Sequence, residues 1–138
     1  MFLIQFDGCN RDLLGISSIG FVLYYENQVI WKYNSLLNES FNSNYVEYKA
    51  LIEALKFAIN INIKYLYVEG DAKIVIDQIN NICKTNSDKV IPLLNEVNNL
   101  KNKFKYINFQ HIYRKNNIYA DSLANDALNG NLILYQQI

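Results

Sequence analysis

Residues 109 to 128, FQHIYRKNNIYADSLANDAL, hold the chain's only histidine, His111, at the end of a strand-like run. A polar turn follows, and then a helix. Three and seven positions beyond Asp121 stand Ala124 and Leu128, so this acid shares the packing face of that helix. Asp126 is displaced from the stripe and reads as solvated. A strand running into an amphipathic helix is the repeating unit of layered α/β domains. An acid on the packing side of such a helix demands compensation, since burying an unpaired charge is costly.

Working outward, MFLIQFD alternates around Phe2, Ile4 and Phe6 and reads as a strand. IGFVLYY and QVIWKYNSL are further strands, separated by the turn-like Glu26-Asn27, and such short connections favour an antiparallel meander. From Ser43 to about Ala58 the period becomes helical, with Ala50, Leu51, Ala54, Leu55 and Ala58 on one stripe. KYLYVEGD is a strand that stops at Gly70-Asp71, and AKIVIDQIN is a short helix. A further helix is expected from around Asp88 to Lys103, with Pro92 in its first turn, where the missing N–H costs little. YINFQHIY is the last strand and NIYADSLANDAL the last helix, ended by Asn129-Gly130. Meander followed by strand–helix crossovers gives a mixed sheet flanked by helices, an α/β domain.

Composition narrows the class. A chain of 138 residues suits one domain with a proper core. No apolar run is long enough to cross a bilayer, and MFLIQFDG carries neither the basic region nor the cleavage site of a signal peptide. Cys9 and Cys83 lack metal-ligand spacing and read as reduced thiols. The protein is therefore expected inside the cell, in the cytoplasm or at a nuclear or viral replication site, as a monomer away from membranes. Thirteen basic residues balance thirteen acidic ones, which argues against a purely electrostatic grip on nucleic acid. An acidic metal site remains compatible, because bound cations restore the local charge.

Four acids stand out. Asp7 ends the first strand in FDG, where Asp-Gly also serves as a turn former. Counting three, four and seven onward from Glu47 reaches Ala50, Leu51 and Ala54, so Glu47 belongs to the apolar stripe; a place near the positive end of the helix dipole is the other reading. Asp71 follows a strand and a glycine, either as helix N-cap or at the strand end where open α/β sheets place ligands. Asp121 repeats the Glu47 pattern. Carboxylates converging on one site repel one another, and hard divalent cations are the usual remedy. An all-oxygen site favours Mg²⁺ or Mn²⁺ over zinc. No Walker-type loop or G-x-S-x-G elbow is present.

In order, FDGCNRDLLGISSIGFVLYY, NYVEYKALIEALKFA, VEGDAKIVIDQI and HIYRKNNIYADSLAN resemble the four signature segments of type 1 ribonuclease H, closest to its short bacterial, archaeal and plant-like members. The resemblance covers nearly the whole chain to about Gly130. It implies a ribonuclease H-like fold, a five-stranded mixed sheet flanked by helices, over residues 1–130, with 131–138 as a C-terminal tail. It also implies an endoribonuclease that cuts the RNA strand of an RNA–DNA hybrid with two Mg²⁺ ions, Mn²⁺ being possible, leaving 5′-phosphate and 3′-hydroxyl ends. Asp7 matches the family's aspartate that bridges both metals. Glu47 and Asp71 match ligands of the metal on the leaving-group side, and Asp121 that of the metal activating the attacking water. Two ions about 4 Å apart stabilise the entering and leaving oxygens of an in-line displacement.

His111 precedes Asp121 by ten residues (121 − 111), the offset of the family's loop histidine, thought to aid proton transfer and product release. The loop HIYRKNN lacks the glycine and second histidine of the fuller version, so His111 either assists the reaction or only orders the strand end. The resemblance places Gly8, Cys9, Asn10, Asn44, Lys73, Arg114 and Asn117 against substrate. Leu13 stands where the family's 2′-hydroxyl-reading Asn would be, and Ala72-Lys73 replace a common Ser-Gln pair, with Lys73 offering a phosphate contact instead. Since the 2′-hydroxyl distinguishes RNA from DNA, relaxed specificity (double-stranded RNA or RNA–DNA junctions) is one alternative. A binding module with weak or lost cleavage is another. The basic protrusion that grips the DNA strand in some relatives is missing, leaving Lys101, Lys103, Lys105, Arg114 and Lys115 for backbone contact or as surface charge. Modest affinity and a steep loss of cleavage with added salt are expected, since weak binding holds no reserve against screening, and initial rates on a hybrid across a salt series read it. A flat response would count against it.

Overall fold

A computed structural model describes residues 1–11, 15–38 and 42–133, together with the backbone of 136–137. Three strands, β1 (Phe2–Arg11), β2 (Ile16–Tyr25) and β3 (Gln28–Leu37), form the antiparallel meander. Between β2 and β3, Glu26 and Asn27 both take positive φ, 49° and 67°, as a two-residue hairpin turn of primed type requires. β4 (Tyr65–Gly70) and β5 (Tyr106–His111) add on the other side of β1, parallel to it. The order is β5-β4-β1-β2-β3, the expected five-stranded mixed sheet. A two-residue strand, β6 (Gln136–Gln137), extends it by pairing with Trp31 and Lys32 of β3, which gives the C-terminal tail its docking place.

The helices are α1 (Ser43–Asn60), α2 (Lys73–Ile79), α3 (Ile91–Lys101) and α4 (Ile118–Leu128). Asn42 caps α1 by accepting the Tyr45 N–H at 2.9 Å. The third helix is shorter than the expected Asp88–Lys103: it starts at Ile91, with Pro92 in its first turn. Gly130, at φ 89°, turns the chain just past α4.

Strand alternation sorts the helices into two layers. Ile4, Phe6, Phe21 and Leu23 belong to the core that includes Val46, Leu51, Leu55 and Phe57 of α1, and the Phe21 and Phe57 rings lie 5.5 Å apart. The intervening β2 positions point the other way. There Ser18 Oγ donates to the Ala124 carbonyl of α4 at 2.6 Å, and a Cβ built on Gly20 would lie 2.8 Å from the Ala124 nitrogen. From β3, the buried Asn34 amide donates to the carbonyls of Leu123 and Asn131, at 2.8 and 2.9 Å. Helix α4 is thus drawn onto the sheet by small and polar strand residues, which holds its first turn, with Asp121, against the end of β1.

Gly20→Ala forces β2 and α4 apart, because the nearest atoms are backbone. The expected cost is about 1–3 kcal/mol, roughly 3–10 °C of melting temperature for a domain of this size. Thermal denaturation followed by circular dichroism checks it.

Candidate active site

Each carboxylate arrives on a different element. Asp7 sits on β1 opposite Gly20, and Glu47 lies in the second turn of α1. Asp71 follows β4 directly, and Asp121 occupies the first turn of α4. Parallel pairing of β1 with β4 brings the ends of those strands side by side, so the first and third acids meet by topology. Carboxylate oxygens of Asp7, Glu47 and Asp71 all lie within 4.8 Å of one another. Asp121 borders the same cleft, of about 450 Å³, with Gly8, Cys9, Asn10, Ser43, Asn44, Ala72 and Arg114 completing its wall.

Gly8 makes the meeting possible. A Cβ there would fall 2.7 Å from the Val46 side chain and 2.8 Å from its backbone, so only glycine lets β1 and α1 approach this closely. The Gly8 N–H then donates to Glu47 Oε1 at 2.8 Å. The other oxygen of that carboxylate, Oε2, is buried without a hydrogen-bond partner. It lies in a cluster of hard oxygen donors with few compensating cations, which is the arrangement a divalent metal ion completes. The residues therefore fit the Mg²⁺ or Mn²⁺ expected from the sequence.

The electrostatics agree. Burial, then the charge of Glu47, then hydrogen bonding of the protonated carboxyl to Glu47 and Asp121, push Asp7 up to about 11. Glu47 is raised to about 7, chiefly by burial and by the charges of Asp71 and Asp121, against the lowering effect of its bonds to Asp7 and Gly8. Arg114 reaches into this field, its guanidinium 3.8 Å from Asp121 Oδ1, with the rest of the side chain exposed. Burial and the charge of Asp121 raise the neighbouring Cys9 thiol, which contacts the Asn125 side chain at 3.5 Å; both cysteines are free.

The remaining residues singled out in the sequence divide. Gly8, Cys9, Asn10, Asn44 and Arg114 line the cleft, as a substrate-facing role requires. Lys73 does not line it: its ammonium is held at 2.5 Å by Asp77 one turn along α2. His111 closes β5 opposite Gly70, its ring edge-on to Tyr113 at 5.7 Å, and it too is outside the cleft lining. Asn117, expected against substrate, is fully buried and cannot touch one. Its amide donates instead to the Phe6 carbonyl at 2.9 Å and to Asp71 Oδ2 at 3.1 Å. Leu13 lies outside the described residues.

Two alternatives left open for the acids also close. Asp71 does not cap α2, since Ala72 holds that position and no side chain caps it. Glu47 is beyond the first turn and buried, so its place reflects the cleft rather than the helix dipole. Sequence reasoning missed the residues that tether α4, Ser18, Asn34 and Gly20. Their one visible signal is small or polar residues within otherwise apolar strands.

Comparison with known proteins agrees with this geometry. The Reverse transcriptase-like family matches residues 5–127. Over 128 residues the chain is 29% identical to Bifunctional protein Rv2228c of Mycobacterium tuberculosis, covering 91% of this chain and 35% of that protein. It is 29% identical over 124 residues to Ribonuclease HI of Halobacterium salinarum, covering 89% of this chain and 62% of that one. The crystal structure of RNase H1 from Halobacterium salinarum superposes with a TM-score of 0.88 at 27% identity, covering 94% of this chain and 98% of that chain. The N-terminal RNase H domain of Rv2228c gives 0.86 at 27%, covering 94% of both chains. This chain thus spans about a third of the first of these curated relatives and under two thirds of the second. The chain belongs to the Reverse transcriptase-like family, within which its relatives are type 1 ribonucleases H.

A raised Asp7 means that the folded protein holds a proton the unfolded chain, with an aspartate near 4, has lost. Metal-free stability should therefore fall as pH rises from about 4 towards 11. Asp7→Asn removes the need for that proton. In chelator at pH 8 the variant should melt higher than the parent by roughly 3–8 °C, with the gap shrinking towards pH 4. Mg²⁺ should raise the parent's melting temperature and leave the variant's nearly unchanged.

Proposed function

We propose that the protein is an endoribonuclease that hydrolyses the RNA strand of RNA–DNA hybrids, with two divalent cations, Mg²⁺ or Mn²⁺, held by Asp7, Glu47, Asp71 and Asp121. The observation that carries the reading is the convergence of three carboxylates on one cleft, with a buried Glu47 oxygen left without a partner. Family membership and the relatives that are ribonucleases H support the substrate class.

In this reading Asp7, as buried as Glu47, would help hold both cations, with Glu47 and Asp71 holding one and Asp121 the other. Cations bound there supply Lewis-acid stabilisation of the charge that develops on the entering and leaving oxygens. The chain's own contribution is placement. Gly8 N–H fixes one oxygen of Glu47, leaving its other oxygen buried and without a partner. Arg114 brings positive charge to the cleft beside Asp121, where a substrate phosphate can exchange for that carboxylate. Ser43 and Asn44 also border an adjoining groove of about 360 Å³, whose wall includes Asn42, Gln78, Lys84, Thr85, Asn86 and Ser87. Its hydrogen-bonding groups, neutral apart from Lys84, suit sugar and backbone contacts, which accords with a chain of zero net charge. Water attack at phosphorus with departure of the 3′-oxygen leaves 5′-phosphate and 3′-hydroxyl ends.

An end-labelled RNA strand, offered paired with DNA, paired with RNA, or single, with Mg²⁺ or Mn²⁺, tests this. Metal-dependent cutting of the hybrid alone is expected. Asp7→Asn should lower it at least about a thousandfold, the several kcal/mol that metal stabilisation supplies. Cutting of duplex RNA as well would show relaxed sugar recognition. A folded protein that binds hybrid without cutting would replace the nuclease with a binding module.

A further inference from the structure

Asn117 is the residue where the supports of the site meet. It stands immediately before α4, where an N-cap would cap its own helix, yet its side chain makes no capping bond. The amide turns inward, fully buried, and divides its two N–H groups between the Phe6 carbonyl and Asp71 Oδ2. Phe6 directly precedes Asp7. The Asn117 carbonyl, meanwhile, accepts the backbone N–H of Asp121 at 3.1 Å. One residue thus touches Asp71 by its side chain, the backbone next to Asp7 by the same side chain, and Asp121 through the main chain.

Its remaining polar atom shows what this arrangement costs. Asn117 Oδ1 is buried and has no hydrogen-bond partner. Leaving a buried acceptor unpaired carries a stability cost, so a residue chosen only for packing or capping would not sit here. An apolar residue of the same size would avoid the cost and lose only the two donated bonds. Those bonds lead to the site, and one ends on a cluster carboxylate.

We propose that Asn117 is a positioning residue for the metal centre: its amide holds Asp71 Oδ2, so that the other oxygen, Oδ1, is the one presented to a cation. The inference rests on the reading of the carboxylates as metal ligands. A neutral donor behind a ligating carboxylate fixes the ligand's rotamer without neutralising it, and removing such outer partners typically weakens metal binding 10–100-fold.

The experiment is calorimetric titration of the substrate-free protein with MnCl₂. Variants are Asn117→Ala, Asn117→Ser, Asp71→Asn, and Asn117→Ala combined with Asp71→Asn. Folding is checked by circular dichroism, and the Mg²⁺ dependence of hybrid cleavage is run alongside. Asn117→Ala should weaken Mn²⁺ binding about 10–100-fold. It should raise the Mg²⁺ concentration for half-maximal cleavage to match, with KM for hybrid unchanged. Serine, with one donor on a shorter arm, should give a smaller loss. In the Asp71→Asn background, Asn117→Ala should weaken binding no further, which a merely structural role would not produce. Unchanged Mn²⁺ affinity, an equal loss in both backgrounds, or failure of both Asn117 variants to fold would each overturn the proposal. Absence of Mn²⁺ binding in the parent protein would instead overturn the metal-site reading beneath it.

Discussion

Like-charge repulsion among buried carboxylates is the constraint around which this molecule is organised. Asp7 and Glu47 are each only 5% exposed, close to one another and to Asp71. Such a cluster is unstable by itself, and the metal-free protein answers it by keeping a proton on Asp7 well above the ordinary carboxylate range. That is a partial answer, since one Glu47 oxygen stays buried and unpaired. The arrangement makes physical sense as half of a structure whose other half is cationic. Stability and function are therefore opposed at this point: the acids that would hold metal also weaken the empty fold.

The rest of the fold supplies the rigidity that the cluster requires. Parallel pairing of β1 and β4 aligns two of the strand ends, while glycine at position 8 lets α1 reach the first of them. Helix α4 presents a different problem, because it packs on the opposite face of the sheet from α1. Its attachment uses few large apolar contacts from β2. A missing side chain at Gly20, the Ser18 hydroxyl and the Asn34 amide hold it instead. Hydrogen bonds to main-chain carbonyls fix the helix along its axis as well as towards the sheet. Apolar packing alone specifies sliding motions less tightly, and a displaced α4 would take Asp121 with it.

The wall of the cleft is polar and dominated by the four acids. Arg114 is the cation that lines it among the described residues, and it is paired with one of the acids. Lys73, the other cation expected there, is turned along its own helix by Asp77. Positive potential in the cleft therefore has to come largely from bound metal, which links cation binding to the approach of any polyanion.

Much of this was legible in the sequence, and the division has a physical basis. Periodicity identified the strands and helices, because burial on one face imposes a repeat on local residues. It also exposed Glu47 and Asp121 as acids on packing faces, an anomaly visible without any knowledge of what they face. Asp71 and His111 show the limit: the residue types were noticed, but whether an acid caps a helix, or a histidine reaches the cleft, depends on directions that spacing leaves open. Asn117 shows it most sharply. The family resemblance placed it against substrate, yet the fold buries it behind Asp71. What the sequence by itself determined was the set of elements and the acids that violate their pattern, since both follow from near neighbours along the chain. Only the tertiary structure decided which polar groups meet the acids, because those partners lie far away in the chain, as Asn117 does from Asp71, 46 residues distant.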